Sequence, residues 1–283
     1  MAEYFIARGL PVPRELERNP LTDWRRLSVI AGAILVFYVG LRITNPDFSR
    51  ANPEYAASVI AQLFHWDLRI LTPQNEFETF WDTAEGLMIA TIFLGIVATG
   101  FSILVALPLS FLGARNIMSG HPVTAAIYIF VRFLFTVIRS IDVLIVVIIF
   151  GVLIGIGTAA GVVGLAFHNV GVLGKLYSEA IEGIDAGPLE AITATGASRF
   201  QVIWTAVLPQ IINPYISFTI YRLDANVRLA PILGYVGGGG IGVLLFQSIQ
   251  LLQYGAAGLI IFMIVVTVAA MDFASAQIRR RLI

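Results

Sequence analysis

Six stretches of the chain stay apolar for about the length of a membrane-crossing helix, roughly 20 residues. They are 27–43, 84–109, 122–150, 159–178, 207–228 and 254–276. The pattern predicts an all-α integral membrane protein with about six transmembrane helices. The third run is long and carries Arg139-Ser-Ile-Asp142 in its middle, so a kink or break is expected there. The stretch 229–250 is also apolar, but Gly237-Gly-Gly-Gly240 interrupts it. It reads as a short re-entrant or interfacial element.

Composition agrees with that reading. Of 283 residues, 58% are hydrophobic and 13% charged, with a mean hydropathy of +0.84. A soluble domain carries about 25% charged residues, so this chain lacks the polar surface to face water all round. The formal net charge is +0, with no basic excess that would point to nucleic acid. Cysteine is absent, which excludes disulfides, thiolate metal sites and Cys nucleophiles. His65, His121 and His168 are scattered, without the paired spacing of metal ligands. Residues 1–26 hold Arg8, Arg14, Glu15, Glu17, Arg18, Arg25 and Arg26, too long and too mixed in charge for the start of a signal peptide. No small-residue cleavage site follows the run 27–43, which reads as an uncleaved anchor.

Arginines set the expected orientation. Arg25 and Arg26 precede the first run, and Arg279, Arg280 and Arg281 follow the last. Both termini are then cytoplasmic, the segment 1–26 and the basic tail 277–283 included, and the number of spans is even. The same parity puts Arg115 and 185–206 on the cytoplasmic side. It leaves 44–83 outside, with Asp47, Glu54, Asp67, Glu76, Glu78 and Asp82. Trp66, Phe77, Phe80 and Trp81 suit an aromatic belt on the outer surface.

The cytoplasmic segment before the fifth run has its own punctuation. Gly187-Pro188 suits a helix start, 188–195 reads as a short helix, and Gly196 is a natural left-handed stop. Ser198 with Gln201 forms a capping-box pattern for a second short helix, and Leu208-Pro209 opens the next span. Helix, glycine turn and helix at the membrane surface make a compact docking knob.

Glu190-Ala191, then Gly196, then Leu208-Pro209 resembles the EAA loop of ABC-importer permeases; Ile192 and Ala206 depart from its pattern. More widely, residues 174–242 are similar to the permease subunit of phosphonate ABC importers through "GKLYSEAIE", "TGASR" and "YRxxxNVR". The likeness covers about residues 84–276, and it implies a type I ABC-importer permease fold in a bacterial cytoplasmic membrane. The loop 188–209 is then the coupling helix, between spans four and five, that fits a groove on an ATPase subunit. Glu190, Ala191, Gly196, Ala197, Ser198, Arg199, Leu208 and Pro209 are its coupling residues. The resemblance also implies two cytoplasmic ATP-binding subunits, which hold ATP and Mg, and an extracytoplasmic phosphonate-binding protein. One chain supplies one knob where two are needed, and a symmetric homodimer answers that economically.

No cofactor or enzymatic site is expected in the chain itself. "NVGVLGKL", 169–176, fails as a phosphate loop, because Asn169 stands where glycine is required and Leu176 where Ser or Thr is. Charged groups inside the runs are more informative, since an arginine at the centre of a span costs about 2.5–3.5 kcal/mol on insertion scales. Arg132, Arg139 and Asp142 lie in the third run, with Arg139 and Asp142 spaced to pair. Arg222 and Asn226, and Asp224 and Arg228, are each four apart in the fifth. With Pro209 at the inner surface, Arg222 and Arg228 lie roughly 20 and 28 Å higher. Tyr221, Arg222, Asn226 and Arg228 are candidates to line an anion path, because guanidinium forks match phosphoryl oxygens. The competing reading makes Arg139–Asp142 and Asp224–Arg228 neutralised pairs that hold helices together. It is favoured for Arg132, Arg139, Asp142 and Asp224. Gly237, Gly238, Gly239 and Gly240 read either as a simple turn or as an outer gate, which the family resemblance supports. Gly151/Gly155 and Gly157/Gly161 suit close helix packing.

Other solutes of the same superfamily stay open: phosphite, phosphate, an amino acid or a quaternary amine. A secondary transporter is the reading from another class. It would leave the knob without a task and would need carboxylate relays, whereas Asp142 and Asp224 each have an arginine near in sequence.

Overall fold

The computed structural model describes residues 8–9, 24–45, 52–73, 75, 78–118 and 120–282, without the side chains of residues 25, 26, 199, 281 and 282. Among the expectations above, most of 1–26 and positions 47, 76 and 77 lie outside the described residues. Two compact units are present, Met1–Ala57 and Ser58–Ile283. The first contains α1 (Trp24–Thr44), and α2 (Pro53–Leu63) begins in it.

The second unit continues through two short 3-10 turns, Leu68–Leu71 and Phe80–Asp82, into a run of helices. These are α3 (Ala84–Leu112), α4 (Arg115–Met118), α5 (Pro122–Ser140), α6 (Val143–Ile154), α7 (Thr158–Glu182), α8 (Ala186–Ala194) and α9 (Arg199–Val202). A five-residue π-helical segment, Ile203–Val207, leads into α10 (Leu208–Tyr235), followed by α11 (Ile241–Gln250) and α12 (Tyr254–Leu282). Among the described residues, five helices are long and apolar enough to cross a membrane: α1, α3, α5, α7 and α12. The sixth expected span, α10, is 28 residues long but carries Arg222, Asp224 and Arg228.

The long third run does break. Ile141 is extended, and Asp142 caps α6 by accepting a hydrogen bond from Leu144 N at 2.8 Å. The fifth span outruns its expected end at 228, because Pro231 is accommodated inside the helix. The element after it is a glycine turn and the ten-residue α11, too short to cross a bilayer. It is re-entrant. Ile241 N donates to Thr91 Oγ1 at 2.8 Å, and Thr91 lies about 10 Å along α3 from Ala84.

Lipid tails are as apolar as leucine, so packing and small residues, not water exclusion, hold such helices together. The seam is on α7. A Cβ on Gly164 would stand 2.9 Å from Val147 Cα, and one on Gly174 would stand 2.4 Å from Phe135 Cε1. Gly171 is as tight against Ile138, at 2.7 Å. The expected Gly151/Gly155 contact is not made, since neither has anything within 4 Å of its Cβ position among the described residues. Around the seam Leu94, Ala98, Val143, Val147, Leu165, Ala230 and Leu233 form one buried cluster. A second joins Leu173, Tyr177, Ile181, Val207, Ile211 and Tyr215. Buried Thr99, Ser102 and Ser178 bond back to carbonyls of their own helices at 2.6–2.7 Å, so their hydroxyls tolerate burial.

One ion-pair cluster ties the end of α7 to its neighbours. Arg132 of α5 bonds Glu182 and lies 3.6 Å from Glu179, while Glu182 also accepts from Arg115 N at 2.8 Å. Arg132 is a structural link, but its partners are 50 and 47 positions away, not in its own helix. Alanine at Arg132 strands a half-buried carboxylate. The cost falls between that of an exposed pair, up to about 1 kcal/mol, and a broken buried one, about 3–5 kcal/mol. R132A is expected to cost about 2 kcal/mol of stability, read as a lower thermal unfolding midpoint of the detergent-purified protein, with R132K recovering part of it. An unchanged midpoint contradicts the link.

Candidate functional site

The segment from Asp185 to Pro209 is a knob continuous with a long helix. Asp185 caps α8 by accepting from Gly187 N at 3.1 Å, so the helix starts at Ala186 and not at Pro188. Pro188 then takes the third position, where its missing N–H costs nothing because the first-turn donors have no intrahelical partner. Gly196 reverses the chain at φ +78°. Ser198 N donates to Gln201 Oε1 at 2.8 Å and Gln201 N to Ser198 Oγ at 3.4 Å, a capping box that opens α9. From Arg199 the helix runs through the π segment to Tyr235 without a break. Asp185 N donates to Gln210 Oε1 at 2.9 Å, tying the base of α8 to α10. Leu189 packs on the cluster of Val207, Ile211 and Tyr177. A push on the knob therefore reaches α10 through covalent helix and through packing.

The exposed surface of α8 and the Gly196 turn is polar or small. Glu190, Ala191, Gly196, Ser198 and Pro209 are exposed, while Ala197 and Leu208 are half-buried. The side chain of Arg199 lies outside the described residues. An element the sequence reading missed is Phe200 stacked on Trp204, 74% and 63% exposed. Their four-residue spacing was the available signal. Aromatic rings of this kind suit a membrane–water boundary.

The four candidate path residues do not converge. Arg222 bonds Asn169 of α7, with Nε to Oδ1 at 3.1 Å and Nη2 to the same oxygen. Asn226 is fully buried and donates to Thr99 Oγ1 of α3 at 2.7 Å. Arg228 bonds Asp224 at 3.2 Å and Asp272 of α12 at 2.7 Å. Tyr221 is exposed, with no side-chain hydrogen bond among the described residues. Arg222 and Asn226 thus face the interior of the bundle, and Tyr221 and Arg228 the opposite side of α10. The Arg139–Asp142 pair is not formed, because the break at Ile141 removes the helical spacing and Asp142 turns to its cap. Arg139 is exposed and makes no ion pair among the described residues.

The glycine turn is packed tightly. Gly237, Gly239 and Gly240 take φ of +87°, +77° and +74°. Gly157 N donates to Gly237 O at 2.8 Å, and a Cβ on Gly239 would lie 2.7 Å from Thr158 N. Gly239 and Gly240 line one end of a cavity of about 1240 Å³ that also touches Thr72, Glu78, Asp82 and Gln247. Asp82 accepts from both Thr79 N and Thr79 Oγ1 at 2.9 Å. Those bonds, the backbone one first, hold its carboxyl below the usual carboxylate range. Among the described residues no three His, Asp or Glu side chains are grouped to hold a metal ion.

A family model for the binding-protein-dependent transport system inner membrane component matches residues 117–283. The chain is 40% identical over 193 residues to the phosphate-import permease protein PhnE of Mycolicibacterium smegmatis, covering 68% of this chain and 36% of that one. It is 36% identical over 193 residues to the phosphite transport system permease protein PtxC of Stutzerimonas stutzeri, covering 68% and 69%. An Escherichia coli protein named as a cryptic phosphonate transport system permease, PhnE2, is 44% identical over 119 residues, 42% of this chain and 98% of its own. The chain thus spans about a third of the first relative's length and about two thirds of the second's. Among solved structures, the inward-facing MetNI methionine ABC transporter matches with a TM-score of 0.60 at 23% identity, over 69% of this chain and 94% of that one. That likeness shows the fold, a type I ABC-importer permease.

Proposed function

The chain belongs to the family of binding-protein-dependent transport system inner membrane components, and from that premise we propose that it is the membrane-spanning permease subunit of an ATP-driven phosphonate importer. It gives the substrate a path and converts closure of two cytoplasmic ATP-binding subunits into alternating access. ATP and Mg sit on those partners, and an extracytoplasmic binding protein delivers the anion. The permease works as a homodimer, multi-pass in the bacterial cytoplasmic membrane, with both termini in the cytoplasm.

One observation carries this reading: the knob of α8 and α9, exposed, hinged at Gly196 and continuous with α10. A groove-binding partner that moves the knob moves α10, and with it Arg222 and the glycine turn. Glu190, Ala191, Gly196, Ala197, Ser198 and Arg199 make the contact, and Leu208-Pro209 is the joint. A secondary transporter has no use for such a lever. The named relatives favour an oxyanion of phosphorus, and phosphite or phosphate is the alternative within the same architecture.

The test is uptake by proteoliposomes holding the permease with its ATP-binding subunits. Methylphosphonate is expected to accumulate only with internal ATP·Mg and external binding protein. Uptake by the permease alone, without ATP, contradicts the reading.

A further inference from the structure

The cations of the long helices differ in what neutralises them. Arg132 meets Glu182 and Glu179, Lys175 meets Glu179, and Arg228 meets Asp224 and Asp272. Arg222 meets a neutral amide. Its Nε and Nη2 share Asn169 Oδ1, and no carboxylate pairs with it among the described residues. Those two bonds use one edge of the guanidinium. Nη1 and the second N–H of Nη2 form the other edge, which has no partner among the described residues. Asn169 is fully buried, and its Nδ2 is a second donor without a partner among the described residues. The bonds from Arg222 fix which end of the amide is oxygen. Unused donors from α7 and α10 thus stand together around an uncompensated positive charge, in a part of the bundle where burial normally demands a partner.

We propose that Arg222 and Asn169 form the transit site for a tetrahedral oxyanion of phosphorus, and that Arg228, closed by two carboxylates, takes no part in it. The proposal rests on the importer reading. Two parallel N–H groups on one guanidinium edge match two oxygens of such an anion, and Asn169 Nδ2 offers a third donor. An aspartate in place of Asn169 would neutralise the arginine and repel the anion. Asparagine orients the fork and leaves its charge unspent. With Arg222 as the one cation that the described residues of this chain bring to the site, the anion is held weakly and leaves readily. Arg139, although also without an ion pair among the described residues, is exposed at the helix break and has no such supporting amide among them.

The variant N169D separates this role from a structural one, because it gives Arg222 a permanent counter-ion at almost no change in shape. In proteoliposomes with the complete complex and binding protein, ATP-driven uptake is measured in separate arms for methylphosphonate, phosphite and inorganic phosphate. The arms identify which oxyanion uses the site. N169D is expected to cut uptake by about tenfold or more, because the unpaired guanidinium is lost, while the thermal midpoint of the complex holds or rises. If Arg222 serves only to link α7 to α10, N169D strengthens the link and uptake stays at the wild-type level, which overturns the proposal. R222K keeps the charge but loses the fork, so uptake is expected to fall several-fold. Should N169D fail to assemble, undiminished uptake by R222K overturns the proposal equally. If the wild-type complex carries none of the three anions, the importer reading itself fails and the transit site falls with it.

Discussion

Valine at Gly161 is expected to prevent the second unit from closing. A Cβ there would stand 2.3 Å from Gly238 O and 3.1 Å from Gly238 C. Both are backbone atoms of the glycine turn, so no side chain can swing aside. The start of α7 would have to retreat, breaking the 2.8 Å bond from Gly157 N to Gly237 O and opening the cluster around Leu94 and Leu165. Overpacking costs about 1–3 kcal/mol where side chains can yield, and backbone against backbone belongs at or above the upper end. Size-exclusion of detergent-solubilised protein should show at least a several-fold loss of the monodisperse peak. Gly151→Val is the control, since nothing among the described residues lies within 4 Å of a Cβ there, and its peak should match wild type. Equal behaviour of the two variants contradicts the packing described for the turn.

The second large effect concerns coupling. Gly196 has φ +78° and, among the described residues, nothing within 4 Å of a Cβ. Its requirement is conformational, not steric crowding by neighbours. A β-branched residue is an outlier in the left-handed region, and an ordinary L-residue there costs about 1–2 kcal/mol. The turn is exposed and adds no core packing, so G196V should leave the membrane domain folded. What changes is the angle between α8 and α9, which presents Glu190 and Ala191 to a partner. ATP-driven uptake is expected to drop at least about tenfold, while Gly196→Asn, which tolerates the left-handed region, keeps most of it. A wild-type rate in G196V would mean that the turn has no part in coupling.

The sequence and the structure agree where the signal is local. Apolar runs locate α1, α3, α7 and α12 within a few residues, because hydrophobic length is what a membrane selects. The charges Arg139 and Asp142 announced a break in the third run. The loss of their pairing was not legible, since it depends on an extended Ile141 that reorients the aspartate. The fifth run was expected to end at 228, yet α10 continues through Pro231 to Tyr235. The long-range partners were invisible for a plainer reason. Arg132–Glu182, Arg228–Asp272 and Arg222–Asn169 are 50, 44 and 53 residues apart, and helical spacing reports only neighbours three or four away. The packing seam did carry a signal, the seven-residue step from Gly164 to Gly171, whereas the four-residue step at Gly151 and Gly155 packs against nothing among the described residues. In the knob, capping box and glycine stop were readable because both are set by side chains within a few residues. Its tether, Asp185 to Gln210, was not.

The central claim is that the knob transmits ATPase closure to a phosphonate path. It is tested most directly by ATP hydrolysis in liposomes containing the complete complex, with the binding protein present and methylphosphonate added or withheld. The expected result is hydrolysis stimulated by the phosphonate in wild type and unresponsive in G196V, with both complexes assembled to the same extent. Failure of any ATP-binding subunit to assemble with the wild-type permease, or stimulation that survives intact in G196V, would contradict it.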